Sequence, residues 1–223
     1  WAQSTKRLID EVNPFIGTSN FGTTNPGAVV PNGLMSVTPF NVSGSPELNK
    51  FDKDKRWWST PYTADNKFFS GFSHVNLSGV GCPELGSIIV SASSGDLDVD
   101  YTHYGSAMSH EQAHPGYYSV ELDKHKIKAE VTATQRTAIS AFTFERGGKS
   151  NILVNLGLGL TNESGATVRF LNDSTIVGSK LMGTFCYAPQ AVFNQYFAIR
   201  ISRRAPAWGR RSATSSTSTC RPW

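Results

Sequence analysis

The chain carries several sets of residues whose types and spacing could do chemistry. His110-Glu-Gln-Ala-His114 has the H-E-x-x-H spacing of zinc peptidases. That chemistry needs the two imidazoles one helical turn apart on one face, with the carboxylate beside the metal-bound water. Pro115-Gly116 follows at once, Tyr117-Tyr-Ser-Val reads as a strand, and Tyr101-Thr-His-Tyr-Gly-Ser upstream is a poor helix former. The required helix is therefore not expected, and no metal is assigned to this motif. Asp96, Asp98 and Asp100 alternate in Gly95-Asp-Leu-Asp-Val-Asp-Tyr, and their oxygens suit calcium. No bidentate Glu follows them, and the turn glycine of a calcium loop is missing. They read as a solvated strand face, so no metal ligand is assigned there either.

A third set is Phe69-Ser-Gly-Phe-Ser-His-Val-Asn-Leu-Ser-Gly-Val-Gly-Cys-Pro-Glu-Leu-Gly86, where glycines and small hydroxyl residues surround a lone His74. Glycine at this density lets backbone take positive φ and lets a ligand or another backbone approach closely. Two readings stand: the rim of a carbohydrate-type site, or a glycine-rich turn between core strands. Ser73, His74 and Asn76 are its candidate binding residues. Trp57 and Trp58 sit in a polar loop, where an aromatic ring either caps the core or stacks on the C–H face of a sugar.

The elements that must position these groups read as β. Leu34 to Phe40 is a plausible first strand. Residues 41–67 are polar and charged and read as a long loop. Loops of this length in a compact domain are usually functional or disordered. Gly86-Ser-Ile-Ile-Val-Ser-Ala suits a buried strand. Tyr118, Val120 and Leu122 alternate with polar residues, as do Ile127, Ala129 and Val131. Ile139 to Phe144 forms the next strand, and Glu145-Arg-Gly-Gly148 reads as a hairpin turn into Asn151-Ile-Leu-Val-Asn-Leu. Asn172-Asp173 turns into 174–181, and 192–201 closes the series. Short strands separated by turn signals predict an all-β antiparallel sandwich with few or no helices.

Six segments, in order, resemble the N-terminal domain of glycoside hydrolase family 92, the calcium-dependent exo-α-mannosidases of bacteria. They are Val12-Asn-Pro-Phe-Ile-Gly-Thr18, Asn25-Pro-Gly-Ala-Val-Val-Pro-Asn-Gly33, Gly71-Phe-Ser-His-Val-Asn-Leu-Ser-Gly-Val-Gly-Cys82, Ser109-His-Glu-Gln-Ala-His-Pro-Gly-Tyr-Tyr118, Ala133-Thr-Gln-Arg-Thr137 and Asn151-Ile-Leu-Val-Asn-Leu-Gly157. Family members often carry a second His where this chain has Asn76. The resemblance implies a galactose-mutarotase-like supersandwich and a strand-edge turn at 110–114. It also implies a tryptophan from the 57–58 loop on the leaving-group side of a mannose pocket. The paired carboxyl groups of an inverting glycosidase and most of the calcium ligands are expected from a second, C-terminal catalytic domain. No catalytic residue or cofactor is therefore assigned to this chain; calcium is implied for the complete enzyme. The fragment is expected to supply part of the pocket for mannose-containing glycans and to be inactive alone. The alternative is a stand-alone carbohydrate-binding sandwich. An exposed domain interface is expected to permit self-association, and the family's habit predicts a secreted or periplasmic protein.

Composition bounds these readings. The 223 residues hold 21 Lys and Arg against 17 Asp and Glu. Five of the arginines lie in the acid-free segment 203–223 (Arg203, Arg204, Arg210, Arg211 and Arg221), so the body is near neutral and nucleic acid is not an expected partner. That tail is rich in Arg, Ser and Thr, lacks Val, Ile and Leu, and reads as an out-of-frame, disordered extension of a domain spanning 1–202. No apolar run approaches a membrane span. Cys82 and Cys186 either pair in an oxidising compartment or are both buried thiols. Four Asn-x-Ser sequences begin at Asn41, Asn76, Asn162 and Asn172. They carry no meaning in a bacterial protein and matter only in a eukaryotic host.

Overall fold

Alternating burial in the middle of the chain sets the architecture. In Ile127–Ala133 every second residue is buried, while Lys128, Thr132 and Glu130 point outward or stay half-buried. This period of two is that of a strand with one core face. The computed structural model describes residues 7–20, 22–42, 59–145, 147–160, 165–183, 192–212 and 215–220. The backbone divides into two compact units at 161/162, whereas the sequence placed the only boundary at 202/203.

The first unit holds two five-stranded sheets. One runs β1 (Ala28–Val29), β2 (Ser36–Phe40), β4 (Gly71–Asn76), β5 (Leu85–Ser94) and β10 (Ser150–Asn155). The other runs β3 (Phe68–Phe69), β6 (Ser106–His114), β7 (Tyr117–Leu122), β8 (Ile127–Ala133) and β9 (Ala138–Phe144). All pairings are antiparallel. The sheets share one core, in which Val37, Phe72 and Ala92 from the first meet Tyr118, Val120, Leu122, Ala129 and Val131 from the second. Phe72 stands edge-on to Phe69 at 4.9 Å and to Tyr118 at 6.1 Å, the edge-to-face geometry aromatic rings prefer. Each large apolar side chain so buried is worth about 1.5–3 kcal/mol.

The first sheet is covered on its other face too. Phe40, Val42 and Ile89 pack there with Leu158 and Leu160, against Tyr101. Burial on both faces explains why β5 reads as a continuous apolar run rather than an alternating one. Gly71 is required by this packing. Its φ is +147°, and a Cβ there would lie 2.3 Å from Cγ2 of Ile89.

Two expectations change. The turn after Phe144 is not a hairpin, because Asn151-Ile-Leu-Val-Asn crosses to the other sheet and pairs with β5, Ile152 opposite Ala92. Local turn chemistry cannot distinguish a hairpin from such a crossing. Asp98 and Asp100 are not on a strand, since β5 ends at Ser94. Asp100 instead caps the short helix α1 (Tyr101–Tyr104), its side chain accepting from the Thr102 N–H. A caboxylate competes well for exposed helix N–H groups. Helices are otherwise limited, among the described residues, to a 3-10 turn at Leu8–Glu11, in keeping with an all-β protein.

The second unit contains an antiparallel sheet of β11 (Ala166–Asn172), β12 (Thr175–Met182) and β13 (Phe193–Arg200). It also contains a ribbon of β14 (Trp208–Ser212) and β15 (Ser215–Cys220), which lies in the segment read from sequence as disordered. The Trp208 ring lies 5.0 Å from Phe170.

Candidate functional site

His74 is placed by a β-bulge. Phe72 pairs with Val90, but His74 pairs with Ser87, so β5 carries one residue more than β4 across this interval. Bulges re-aim side chains and often lie beside functional sites. Val75 (φ 58°), Leu85 (58°) and Ile88 (52°) all take positive φ here. For β-branched Val and Ile this is strained backbone, which persists only where the surroundings over-determine it. The Ile88 carbonyl lies 2.7 Å from Nδ1 of His74. A carbonyl only accepts, so Nδ1 carries the proton and Nε2 keeps a lone pair with no partner among the described residues. Desolvation lowers the imidazole pKa, partly opposed by the Ile88 bond. The half-buried ring is therefore neutral near pH 7 and presents an acceptor.

Ser73 and Asn76 are committed elsewhere. Ser73 is 0% exposed, and its hydroxyl donates to Oδ1 of Asn76 at 2.8 Å. The Asn76 amide donates to the Ser36 carbonyl at 3.1 Å and the Ser73 carbonyl at 3.0 Å. Its backbone N–H donates to the Ser36 hydroxyl at 2.6 Å. The pair fastens the end of β4 to β2 and so orients the loop that follows.

That loop is tied to the 12–33 segment. The Asn25 amide donates to the Leu77 carbonyl at 3.2 Å, and the Gly79 N–H donates to Thr23 at 2.8 Å. Gly79 has φ +77°, a conformation that side-chain-bearing residues rarely adopt. Thr24 in turn donates to the Ile16 carbonyl at 2.7 Å. Three motifs spread over seventy residues of sequence thus form one continuous rim. Cys82, at the end of this loop, is disulfide-bonded, which removes the thiol alternative for that residue. Cys186 lies outside the described residues, as do Trp57 and Trp58.

The segment bearing the tryptophans is clamped at its base. Asn41, 0% exposed, donates to the Thr63 carbonyl at 2.7 Å and the Asn66 carbonyl at 2.6 Å, and accepts from the Thr63 N–H at 2.8 Å. Asn66 donates back to the Asn41 carbonyl. Sequence reasoning missed this clamp, although a polar Asn beside the apolar run ending at Phe40 was its one visible signal.

The H-E-x-x-H motif lies on β6, with His110 at a bulge and φ 50°. Its two imidazoles do not converge. His110 faces Glu121 at 2.9 Å, and His114 stacks on Tyr117 at 4.7 Å. Glu111 points inward and accepts from the hydroxyls of Tyr62 and Tyr118, at 2.8 Å each, and from Lys67. Burial, with Glu111 beside them, raises the pKa of both phenols. A carboxylate as a core hub was not visible from sequence, because the bulge breaks the alternation that would reveal its direction.

Among the described residues no three His, Cys, Asp or Glu side chains are grouped to hold a metal. Asp96 pairs with Lys149 at 2.6 Å and Asp98 with His103 at 3.3 Å, so the aspartates near residue 98 are separately engaged. They do not fit a calcium site. No helix among the described residues is long and apolar enough to cross a membrane.

Two packed antiparallel sheets, with a glycine-rich rim whose strained backbone at Val75, Leu85 and Ile88 flanks His74, define the class as an all-β sandwich domain. Residues 11–220 match the Glycosyl hydrolase family 92 N-terminal domain, and the chain belongs to that family. The match extends through the β14–β15 ribbon. The family GH92 alpha-mannosidase BT3965 from Bacteroides thetaiotaomicron superposes with a TM-score of 0.78 at 29% identity, over 89% of this chain and 26% of that one. The family GH92 inverting mannosidase BT2199 of the same organism shares the fold, with a TM-score of 0.73 at 18% identity, over 99% of this chain and 28% of that one. An uncharacterized secreted glycosidase of Arthroderma benhamiae is 28% identical over 167 residues, which is 69% of this chain and 20% of the relative. The chain therefore spans between a fifth and just over a quarter of the length of these relatives.

Proposed function

We propose that this chain forms one wall of a pocket that binds terminal α-linked mannose for hydrolysis with inversion. The observation that carries the reading is the family match across nearly the whole chain, coupled to the strained rim around His74. In this reading the Nε2 lone pair of His74 accepts a hydrogen bond from a sugar hydroxyl. Trp57 or Trp58 stacks on the ring face. Ser73 and Asn76 act at one remove by holding the strand end. Inversion needs two carboxyl groups about 6.5–9.5 Å apart, one acid and one base. We assign these, and the calcium ligands, to the part of the relatives that this chain does not span.

The reading predicts no hydrolysis of p-nitrophenyl α-mannoside by the 223-residue chain. Turnover that copurifies with the chain and disappears on heating overturns it. The alternative of an independent binding module predicts measurable mannose affinity that falls on Trp57→Ala, Trp58→Ala or His74→Ala, whereas the half-pocket reading predicts negligible affinity. Export to an oxidising compartment, secreted or periplasmic, fits both the Cys82 disulfide and the secreted relative. Leu8, Ile9, Val12 and Ile16 are 50–87% exposed and offer apolar surface for the remaining catalytic portion or for self-association. Sedimentation showing a clean monomer at high concentration counts against the latter.

A further inference from the structure

We propose that Asn172 is the acceptor of an N-linked glycan when this chain is made in a eukaryotic secretory pathway, and that Asn41 and Asn76 are not. All three open an Asn-x-Ser sequence, and the fold separates them; the fourth such sequence, at Asn162, lies outside the described residues. Asn41 is 0% exposed, with its amide given to two buried carbonyls. The Asn76 amide is spent on Ser36 and Ser73. A sugar on either nitrogen displaces these bonds and blocks the packing of β2, β4 or the 61–66 segment. Asn172 is exposed at the turn of the β11–β12 hairpin. Its Oδ1 accepts from the Ser174 N–H at 2.9 Å and the Ser174 hydroxyl at 3.0 Å, so the third residue of the sequence already sits against the amide. The Asn172 nitrogen has no partner among the described residues. The intervening Asp173 is turned aside, its carboxylate 3.4 Å from Arg204.

The co-reactant is an oligosaccharide carried on a polyprenyl pyrophosphate. The Asn172 nitrogen bonds to C1 of the first sugar, and the C1–O bond to the pyrophosphate breaks. The carrier leaves with that electron pair, and the amide loses one proton. Export is relevant because one relative is an uncharacterized secreted glycosidase, of Arthroderma benhamiae. The proposal does not depend on mannose binding.

The test is to secrete the full 223-residue chain from yeast and map its tryptic peptides by mass before and after peptide N-glycosidase, which leaves Asp where a glycan stood. The expected result is glycan on the Asn172 peptide in most chains, none on the Asn41 or Asn76 peptides, and loss of the Asn172 signal in both Asn172→Gln and Ser174→Ala. An unmodified Asn172 peptide overturns the proposal. So does glycan on Asn41 or Asn76 in folded, secreted protein.

Discussion

Replacing Glu111 with Ala tests the central claim about this core. The substitution leaves the hydroxyls of Tyr62 and Tyr118 without their acceptor, and both tyrosines are 0% exposed. A buried donor without a partner costs about 1–3 kcal/mol. Two such donors cost about 2–6 kcal/mol, less whatever a water entering the vacated space restores. Lys67 adds little, because its side chain is 57% exposed and such ion pairs are worth about 0–1 kcal/mol. The sum is a large part of the roughly 5–15 kcal/mol by which domains are stable. Urea unfolding followed by far-ultraviolet circular dichroism, with the disulfide intact, measures it. Glu111→Gln keeps one acceptor oxygen and should lose less. Adding Tyr62→Phe and Tyr118→Phe to Glu111→Ala should recover part of the loss, because no hydroxyl is then orphaned. If Glu111→Ala lies within about 0.5 kcal/mol of the parent, the range of an ordinary surface substitution, the carboxylate is not a hub.

Three further outcomes are expected. His74 and His125 both have pKa values lowered, mainly by desolvation. The unfolded chain therefore binds protons that the folded chain refuses, and stability falls as pH drops below about 6.5. His125→Gln should flatten part of that slope in denaturation midpoints measured from pH 7.5 to 5. At the alkaline end the raised phenols of Tyr62 and Tyr118 stay protonated in the fold while the unfolded chain ionises. Stability should therefore decline as pH rises past about 10, and Tyr62→Phe should weaken that decline. Asn41→Ala removes three buried hydrogen bonds and orphans their backbone partners, at about 3–6 kcal/mol. Thermal unfolding of Asn41→Ala at the parent's midpoint would refute the clamp.

Strand identity was legible where apolar and polar residues alternate. Tyr118, Val120 and Leu122, and Ile127, Ala129 and Val131, announce β7 and β8 by their period. The Asn172-Asp173 turn likewise announces the β11–β12 hairpin. The β1 strand was missed because two residues carry no period. The rim residues were nominated by glycine density, and His74 stands at the bulge that those glycines accompany. Nothing local revealed that Ser73 would give its hydroxyl to Asn76, or that Asn76 would spend its amide on Ser36, forty residues away in sequence.

By itself the sequence determined the all-β class, the alternation of its central strands, the positions of its turns and the order of the family's motifs. These are properties of neighbouring residues: side-chain periodicity and the backbone freedom of glycine. Tertiary structure alone decided that β10 crosses to pair with β5, that Glu111 faces inward, and that Asn41 joins the two ends of a long segment. Each depends on which distant backbone lies alongside. Strand pairing and burial are non-local quantities, and a one-residue bulge reverses the face on which a side chain emerges.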